Sequence, residues 1–130
     1  MRPAAVSNPY ATLLPLYGDD LEVLAALAGG GVYARTEKMI RLSPEAQAVL
    51  GVTQAEFEPA ALISAILKAP ADLIWFGGIG TYVKAAAENN AAVGDPANDR
   101  LRVDAEQLRA TAIGEGANLG VTQAGRIAFA

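Results

Sequence analysis

The sequence contains neither cysteine nor histidine. Without cysteine there is no disulfide framework and no thiolate metal site. Without histidine, Ser-His and Cys-His nucleophile systems, imidazole general bases and His-ligated zinc are all excluded. Any acid/base chemistry carried by this chain therefore has to use Asp, Glu, Lys or Tyr.

Long apolar runs and clusters of positive charge are also missing. No stretch approaches the about 20 apolar residues that span a bilayer, and residues 1–18 lack the apolar core of a signal peptide. The 10 Lys and Arg residues are scattered and the formal net charge is −4, which argues against a nucleic-acid footprint. We therefore expect a cytoplasmic protein with no membrane and no nucleic-acid partner.

What is present is the pattern of one α/β domain. A chain of 130 residues with 52% hydrophobic residues is long enough for a single core. Prolines 3, 9 and 15 predict an irregular tail over residues 1–18. Capping residues and apolar periodicity predict helices over residues 20–28, 44–50 and 59–69. We expect these helices to cover a small, mostly parallel sheet in a three-layer domain over residues 19–130.

Two apolar runs, residues 72–76 and 110–114, each break into a glycine-rich turn. This pattern is typical of buried parallel strands, covered on both faces, whose carboxyl ends open into loops. The connection of roughly thirty residues between them suits a right-handed parallel crossover. Helix formers at residues 84–88 predict a short helix within that connection. Thr122 is the predicted cap of a last helix through Ile127 and Phe129. Ligands of open α/β sheets bind beyond the carboxyl ends of the strands, so the candidate crevice lies just after Phe76 and Ile113.

The glycines of the first turn and the polar side chains of the second are the candidate ligand contacts. Gly77, Gly78 and Gly80 carry no Cβ, so their backbone N–H groups are open to an anion or to a flat ligand. Asn118 can both donate and accept, which suits a carboxamide or a ribose hydroxyl. The structural alternative is that the glycines only permit tight packing, that Asn118 takes a left-handed turn conformation, and that Glu115 is solvated or bonded to backbone.

Other polar clusters predict no catalytic or metal site. The Gly-x-Gly-x-x-Gly dinucleotide fingerprint is absent from the sequence, and residues 29–31 read as a helix end followed by a turn. Asp95, Asn98, Asp99 and Asp104 form a loose acidic cluster without the ligand spacing of a calcium loop. Nothing in the sequence around any lysine indicates that its amine is shielded from water.

Several longer motifs carry a resemblance to a known family. Residues 68–75 read KAPADLIW, residues 77–84 read GGIGTYVK, and residues 114–123 read GEGANLGVTQ. Shorter matches are GGGVY from residue 29, LSPE from residue 42, and LRVD from residue 101. Over about residues 20–130 the chain resembles the bacterial large-subunit NAD-specific glutamate dehydrogenases.

The resemblance implies an incomplete piece of a Rossmann-type cofactor domain. It implies NAD as cofactor and the oxidative deamination of L-glutamate to 2-oxoglutarate and ammonia, in a full-length enzyme that is a homo-oligomer. Gly77 and Gly78 are expected to lie against the dinucleotide and Asn118 at its nicotinamide end. The remaining expected cofactor contacts are Ile79, Gly80, Glu115 and Gly116.

The catalytic lysine and aspartate of that family belong to a substrate domain outside this chain, so we expect no activity from the chain alone. The alternative is a stand-alone module that either binds a nucleotide without catalysis or survives as a structural remnant.

Overall fold

A computed structural model of the chain describes residues 29–116 and 119–130. The predicted tail over residues 1–18 and the predicted helix over residues 20–28 lie outside the described residues. The helices and strands are, in chain order, β1 (Ile40–Arg41), α1 (Pro44–Leu50), β2 (Glu56–Phe57), α2 (Pro59–Leu67), β3 (Leu73–Phe76), β4 (Val83–Lys84), α3 (Asn90–Val93), a 3-10 turn (Pro96–Asn98), β5 (Val103–Asp104), a second 3-10 turn (Ala105–Gln107), β6 (Ala112–Glu115) and α4 (Gln123–Phe129).

The helices α1 and α2 confirm two of the predicted helices. Ser43 caps α1 by accepting a hydrogen bond from the backbone N–H of Ala46, and Gly51 ends it in the left-handed conformation with φ 68°. Helix α2 begins at Pro59 as predicted and ends at Leu67, two residues earlier than the expected 69. These helices pack on the antiparallel pair of β1 and β2 around a small apolar cluster of Ile40, Leu42, Phe57, Leu62 and Ala65.

Strands β3 and β6 form the predicted parallel pair. Ile74 lies opposite Ile113, and Phe76 opposite Glu115. Phe76 is buried, but Trp75 on the other face is 63% exposed. The expectation that both faces of the strand are covered is therefore wrong for the part of the chain that the structure describes.

The helix predicted at residues 84–88 does not form: Lys84 belongs to a second parallel pair, and residues 85–88 form a turn in which the Glu88 N–H donates to the Ala85 carbonyl oxygen at 3.0 Å. Val83 of β4 lies opposite Val103 of β5 and bridges Val121, and it has no exposed surface. A β-branched residue buried among three segments is better placed in a strand than in a helix turn. The helix begins later, at Asn90, where Asn89 caps it by accepting from the Ala92 N–H at 2.8 Å.

The core around these parallel pairs positions their carboxyl ends. It consists of Leu67, Phe76, Val83, Val103, Ala105 and Val121. Helix α4 closes one side and begins at the predicted cap Thr122, whose Oγ1 accepts from the Gly125 N–H at 2.9 Å. The result is a partial α/β arrangement of small, mostly parallel sheets with helices. Among the described residues, no helix has the length and apolar character needed to cross a membrane.

Candidate functional site

The two predicted turns are neighbours in space. Because β3 and β6 run parallel and end on the paired residues Phe76 and Glu115, the segments that follow both leave the same end of the sheet. The place that the sequence predicts for a ligand crevice is therefore the end of the sheet where residues 77–80 and Gly116 follow these strands.

The start of the first turn is open. A Cβ built on Gly78 would meet no atom within 4 Å, and one on Gly77 would come no nearer than 3.7 Å to the Trp75 ring. The side chain of Ile79 is 90% exposed. Neither Gly77 nor Gly78 is thus needed for packing within the described chain, and their backbone is accessible to a ligand.

At Gly80 the backbone conformation and the close packing both require a glycine. Its φ is 116°, a conformation that L side chains rarely adopt, and a Cβ there would lie 2.7 Å from Asn98 Nδ2. The Tyr82 hydroxyl fixes the same turn by donating to the Ile79 carbonyl oxygen at 2.8 Å. The end of the turn is therefore held by packing while its start is free.

Thr81 ties the first turn to two other segments. Its backbone N–H donates to Asp95 Oδ2 at 2.9 Å, and its carbonyl oxygen accepts from Arg102 Nε at 2.8 Å. Its hydroxyl donates to the carbonyl oxygen of Leu119, in the second turn, at 2.8 Å. All of the polar groups of Thr81 are thus used, and the two turns are joined directly.

Arg102 is the buried centre of the acidic cluster. Its side chain has no exposed surface, and Nη1 donates to Asp99 Oδ1 at 2.6 Å and to Asn90 Oδ1 at 3.0 Å. Nη2 donates to the Asp95 carbonyl oxygen at 2.6 Å and lies 3.6 Å from Asp95 Oδ2. Asp95 and Asp99 therefore serve as counter-charges and acceptors for a buried guanidinium. Sequence reasoning missed Arg102, although its position between the apolar residues Leu101 and Val103 was the available signal.

The carboxylates of Asp104 and Asp95 also have partners within the described chain. Asp104 forms an ion pair with Lys84. The Asn98 Nδ2 group and the Thr81 N–H, both bonded to the Asp95 carboxylate, lower the pKa of Asp95. Among the residues that the structure describes, no group of three or more Asp or Glu is arranged to hold a metal ion.

Glu115 points into its own turn. Its Oε1 accepts from the Gly120 N–H at 2.6 Å, its Oε2 pairs with Arg126 of α4, and its side chain is 11% exposed. Leu119, just before Gly120, has φ 61° and is the one non-glycine residue of the described chain with a positive φ. Asn118, the expected nicotinamide contact, lies outside the described residues.

Trp75 lies at the junction of the two turns, which sequence reasoning did not foresee. Its indole covers one face of β6, because a Cβ on Gly114 would lie 2.8 Å from Cε3 and one on Gly116 would lie 3.1 Å from Cζ2. Its Cδ1 is the nearest atom to a Cβ on Gly77. An exposed flat ring thus stands beside the open backbone of the first turn, an arrangement suited to a planar ligand.

A separate cavity of about 470 Å³ lies on the opposite face of β6, between that strand and α4. Its lining includes Phe76, Ile113, Arg126 and Phe129. Side chains alternate between the two faces of a strand, so this cavity is separated from Trp75 by the sheet itself. The exposed indole and this cavity therefore lie on opposite faces of the sheet, and Glu115, at the end of β6, is part of the cavity lining.

The fold and the site together define an α/β protein with a candidate ligand crevice at the carboxyl ends of two parallel strands. The chain belongs to the family described as "Bacterial NAD-glutamate dehydrogenase, catalytic domain", whose family model matches residues 18–130. The resemblance drawn from the sequence motifs is thereby confirmed.

Curated relatives agree with this assignment. The chain is 50% identical over 110 residues to the NAD-specific glutamate dehydrogenase of Pseudomonas aeruginosa, covering 85% of this chain. It is 56% identical over 107 residues to that of Mycobacterium tuberculosis, covering 78% of this chain. It is 48% identical over 99 residues to that of Halomonas elongata, covering 76% of this chain. The chain spans only 7%, 7% and 6% of the lengths of these three relatives.

Proposed function

We propose that this chain forms part of the cofactor crevice of an NAD-dependent glutamate dehydrogenase, in a Rossmann-like domain. The observation that carries the proposal is the open backbone of Gly77 and Gly78 beside the exposed Trp75 ring, at the carboxyl ends of two parallel strands. Parallel α/β sheets place dinucleotides at such ends. The relatives from Pseudomonas aeruginosa and Mycobacterium tuberculosis are named as NAD-specific enzymes.

The residues of the crevice have separate roles in this proposal. Gly77, Gly78 and Ile79 present unobstructed backbone to the dinucleotide, and Gly80 shapes the turn that holds them. Gly116 leaves space for the Trp75 ring. Asn118 contacts the nicotinamide amide, a role that rests on the family resemblance and on the ability of its side chain to donate and accept.

The reaction of the complete enzyme is the oxidative deamination of L-glutamate to 2-oxoglutarate and ammonia. Bound NAD supplies the hydride acceptor, and this chain binds and orients it. We assign no catalytic residue to the chain: Lys84, in the second parallel pair, is engaged with Asp104. The isolated chain is therefore expected to bind NAD without oxidising glutamate.

Titration of the chain with NAD tests the proposal. Trp75 is the single tryptophan of the sequence, so its fluorescence reports ligand at the crevice. We expect saturable binding that falls at least about tenfold in Gly78→Ala, equal to about 1.4 kcal/mol, because the added methyl stands where the ligand approaches. No neighbour lies within 4 Å of that methyl, so the melting temperature is expected to stay unchanged.

Ala48→Ser is the control, because Ala48 is exposed on α1, the helix that packs beside the other apolar cluster. Titrating both the parent and Asn118→Ala with NAD and with AMP separates the contributions that the two ends of the cofactor make to binding. The expected result is tighter binding of NAD than of AMP, with the difference lost in Asn118→Ala. Absence of saturable NAD binding, or a Gly78→Ala variant that binds as the parent does, would refute the proposal.

A further inference from the structure

The second turn contains a strained residue whose following peptide unit is held at both of its polar groups. Leu119 has φ 61°, a left-handed conformation that costs energy for a leucine and persists only where surrounding bonds fix it. The Thr81 hydroxyl donates to the Leu119 carbonyl oxygen at 2.8 Å. The Glu115 carboxylate accepts from the next N–H, that of Gly120, at 2.6 Å. Two side-chain hydrogen bonds thus fix the peptide unit between Leu119 and Gly120, directly after the unfavourable conformation.

Both of these side chains are themselves fixed. Glu115 uses its second oxygen to pair with Arg126, and its side chain is only 11% exposed. Thr81 is buried, and its backbone is bonded to Asp95 and to Arg102. Neither side chain is free to turn outward, so the bonds to Leu119 and Gly120 are preorganised.

We propose that the Thr81 hydroxyl and the Glu115 carboxylate are positioning residues for the cofactor crevice. They act through Leu119 and Gly120 and fix this end of the second turn relative to the first turn. This inference rests on the proposed function and changes the role of Glu115, which supports the turn and does not contact the cofactor.

The consequence for binding follows from preorganisation. If either bond is lost, the strained turn relaxes into other conformations, and the apparent affinity falls with the fraction of molecules that keep the competent one. The backbone of Gly120 then also exchanges its amide proton faster, because local opening is easier. Affinity and exchange are expected to change together.

Variants of Thr81 provide the first test. Thr81→Val keeps the branched shape and removes only the hydroxyl, whereas Thr81→Ser keeps the hydroxyl. We expect Thr81→Val to weaken NAD binding about tenfold and to raise the amide exchange rate of Gly120, and Thr81→Ser to resemble the parent. Thr53→Val, at an exposed position in the loop between α1 and β2, is the matched control.

Variants of Glu115 separate support from direct contact. Glu115→Gln retains an oxygen that accepts from the Gly120 N–H, so it is expected to keep most of the affinity and the slow exchange. Glu115→Ala is expected to lose both. A Glu115→Gln variant that loses affinity while Gly120 exchanges slowly would mean that Glu115 contacts the ligand, and the inference would be overturned.

The two proposals fail in different ways. If the parent chain binds no NAD, the proposed function is refuted, and the exchange rate of Gly120 in Thr81→Val still decides whether the hydroxyl holds the turn. Unchanged exchange in that variant overturns the inference. If the parent binds NAD and Thr81→Val binds it equally well, the inference alone is overturned.

Discussion

The guanidinium of Arg102 donates from Nε to the carbonyl oxygen of Thr81 at 2.8 Å, and the Arg102 side chain has no exposed surface. This bond connects the buried centre of the acidic cluster to Thr81, the residue that directly follows the first turn of the candidate crevice. A planar group with five N–H donors can satisfy several acceptors at once, which a lysine cannot do. Arg102 is thus the structural centre of the segment from Thr81 to Val103.

Replacement of Arg102 is expected to destabilise the fold strongly. Arg102→Met leaves Asp95, Asp99 and the Thr81 carbonyl without their partner, and we expect a loss of about 3 kcal/mol in the free energy of unfolding. Arg102→Lys is expected to recover less than half of that. Urea unfolding followed by Trp75 fluorescence measures both values.

Arg100 is the matched control for this prediction. Its side chain is 80% exposed and pairs with Glu58 at 3.1 Å, so Arg100→Met should cost at most about 1 kcal/mol. Equal losses from the two substitutions would mean that burial and the hydrogen bonds of Arg102 do not contribute as described.

Gly114 and Trp75 are expected to be energetically coupled. In Gly114→Ala the new methyl would lie 2.8 Å from Trp75 Cε3, so the ring has to move. Because Trp75 is 63% exposed it can do so, and we expect a cost of about 1–2 kcal/mol with a shift in fluorescence. In the Trp75→Leu background the same substitution should be nearly neutral. A double-mutant cycle on the unfolding free energies measures the coupling, and additive effects would contradict it.

The cap of α1 gives a local test of the fold. Ser43 Oγ accepts from the Ala46 N–H at 3.1 Å and donates to the Gly29 carbonyl oxygen. Ser43→Ala removes both bonds and is expected to cost about 1 kcal/mol, while Ser43→Asp retains the cap and should cost less. Thermal unfolding checks the ranking, and an alanine variant at least as stable as the aspartate one would contradict it.

Local signals were sufficient to predict α1, α2, α4 and the parallel pairing of β3 with β6. The residues that begin and end these helices act on their own neighbours in sequence, so the helix bounds can be predicted without tertiary context. These residues are Ser43, Pro44, Gly51 and Thr122. The helix predicted at residues 84–88 failed because Val83 pairs with Val103 and Val121, which are distant in sequence. Tertiary pairing overrides propensity in such a segment.

The candidate site likewise contains features that could be predicted from local sequence and others that depend on tertiary contacts. The glycine turns after Phe76 and Ile113 were readable because glycine marks open backbone. The roles of Arg102, Thr81 and Trp75 were not readable, since each depends on contacts made across the fold. The exposed face of Trp75 could not be predicted from an apolar run, because a run of apolar residues does not show what lies against each face of a strand.

Two carboxylates tie stability to pH. The pKa of Glu88 is lowered by the hydrogen bond from Thr122 Oγ1 at 2.6 Å and by that from the Ala85 N–H at 2.8 Å. The pKa of Asp95 is lowered by Asn98 Nδ2 at 2.7 Å and by the Thr81 N–H. In both cases the folded state binds its proton less readily than the unfolded state does.

The sign of the effect follows from these directions. The stabilising contribution is fully present above the ordinary carboxyl pKa of about 4 and is lost as the pH falls through the lower folded values. We expect the melting temperature to be constant from about pH 7 to about pH 5 and to fall below that. Glu88→Gln should be less stable than the parent at neutral pH and should lose less stability on acidification.

Thr122 distinguishes the source of the Glu88 effect. Thr122→Ser keeps the hydroxyl that donates to Glu88, whereas Thr122→Ala removes it together with the cap on Gly125. Because the hydroxyl is the largest cause of the lowered pKa, the acid slope should be retained in Thr122→Ser and reduced in Thr122→Ala. Thermal melts of both variants between neutral and acidic pH measure the slopes. Identical slopes would show that the hydroxyl of Thr122 does not lower the pKa of Glu88.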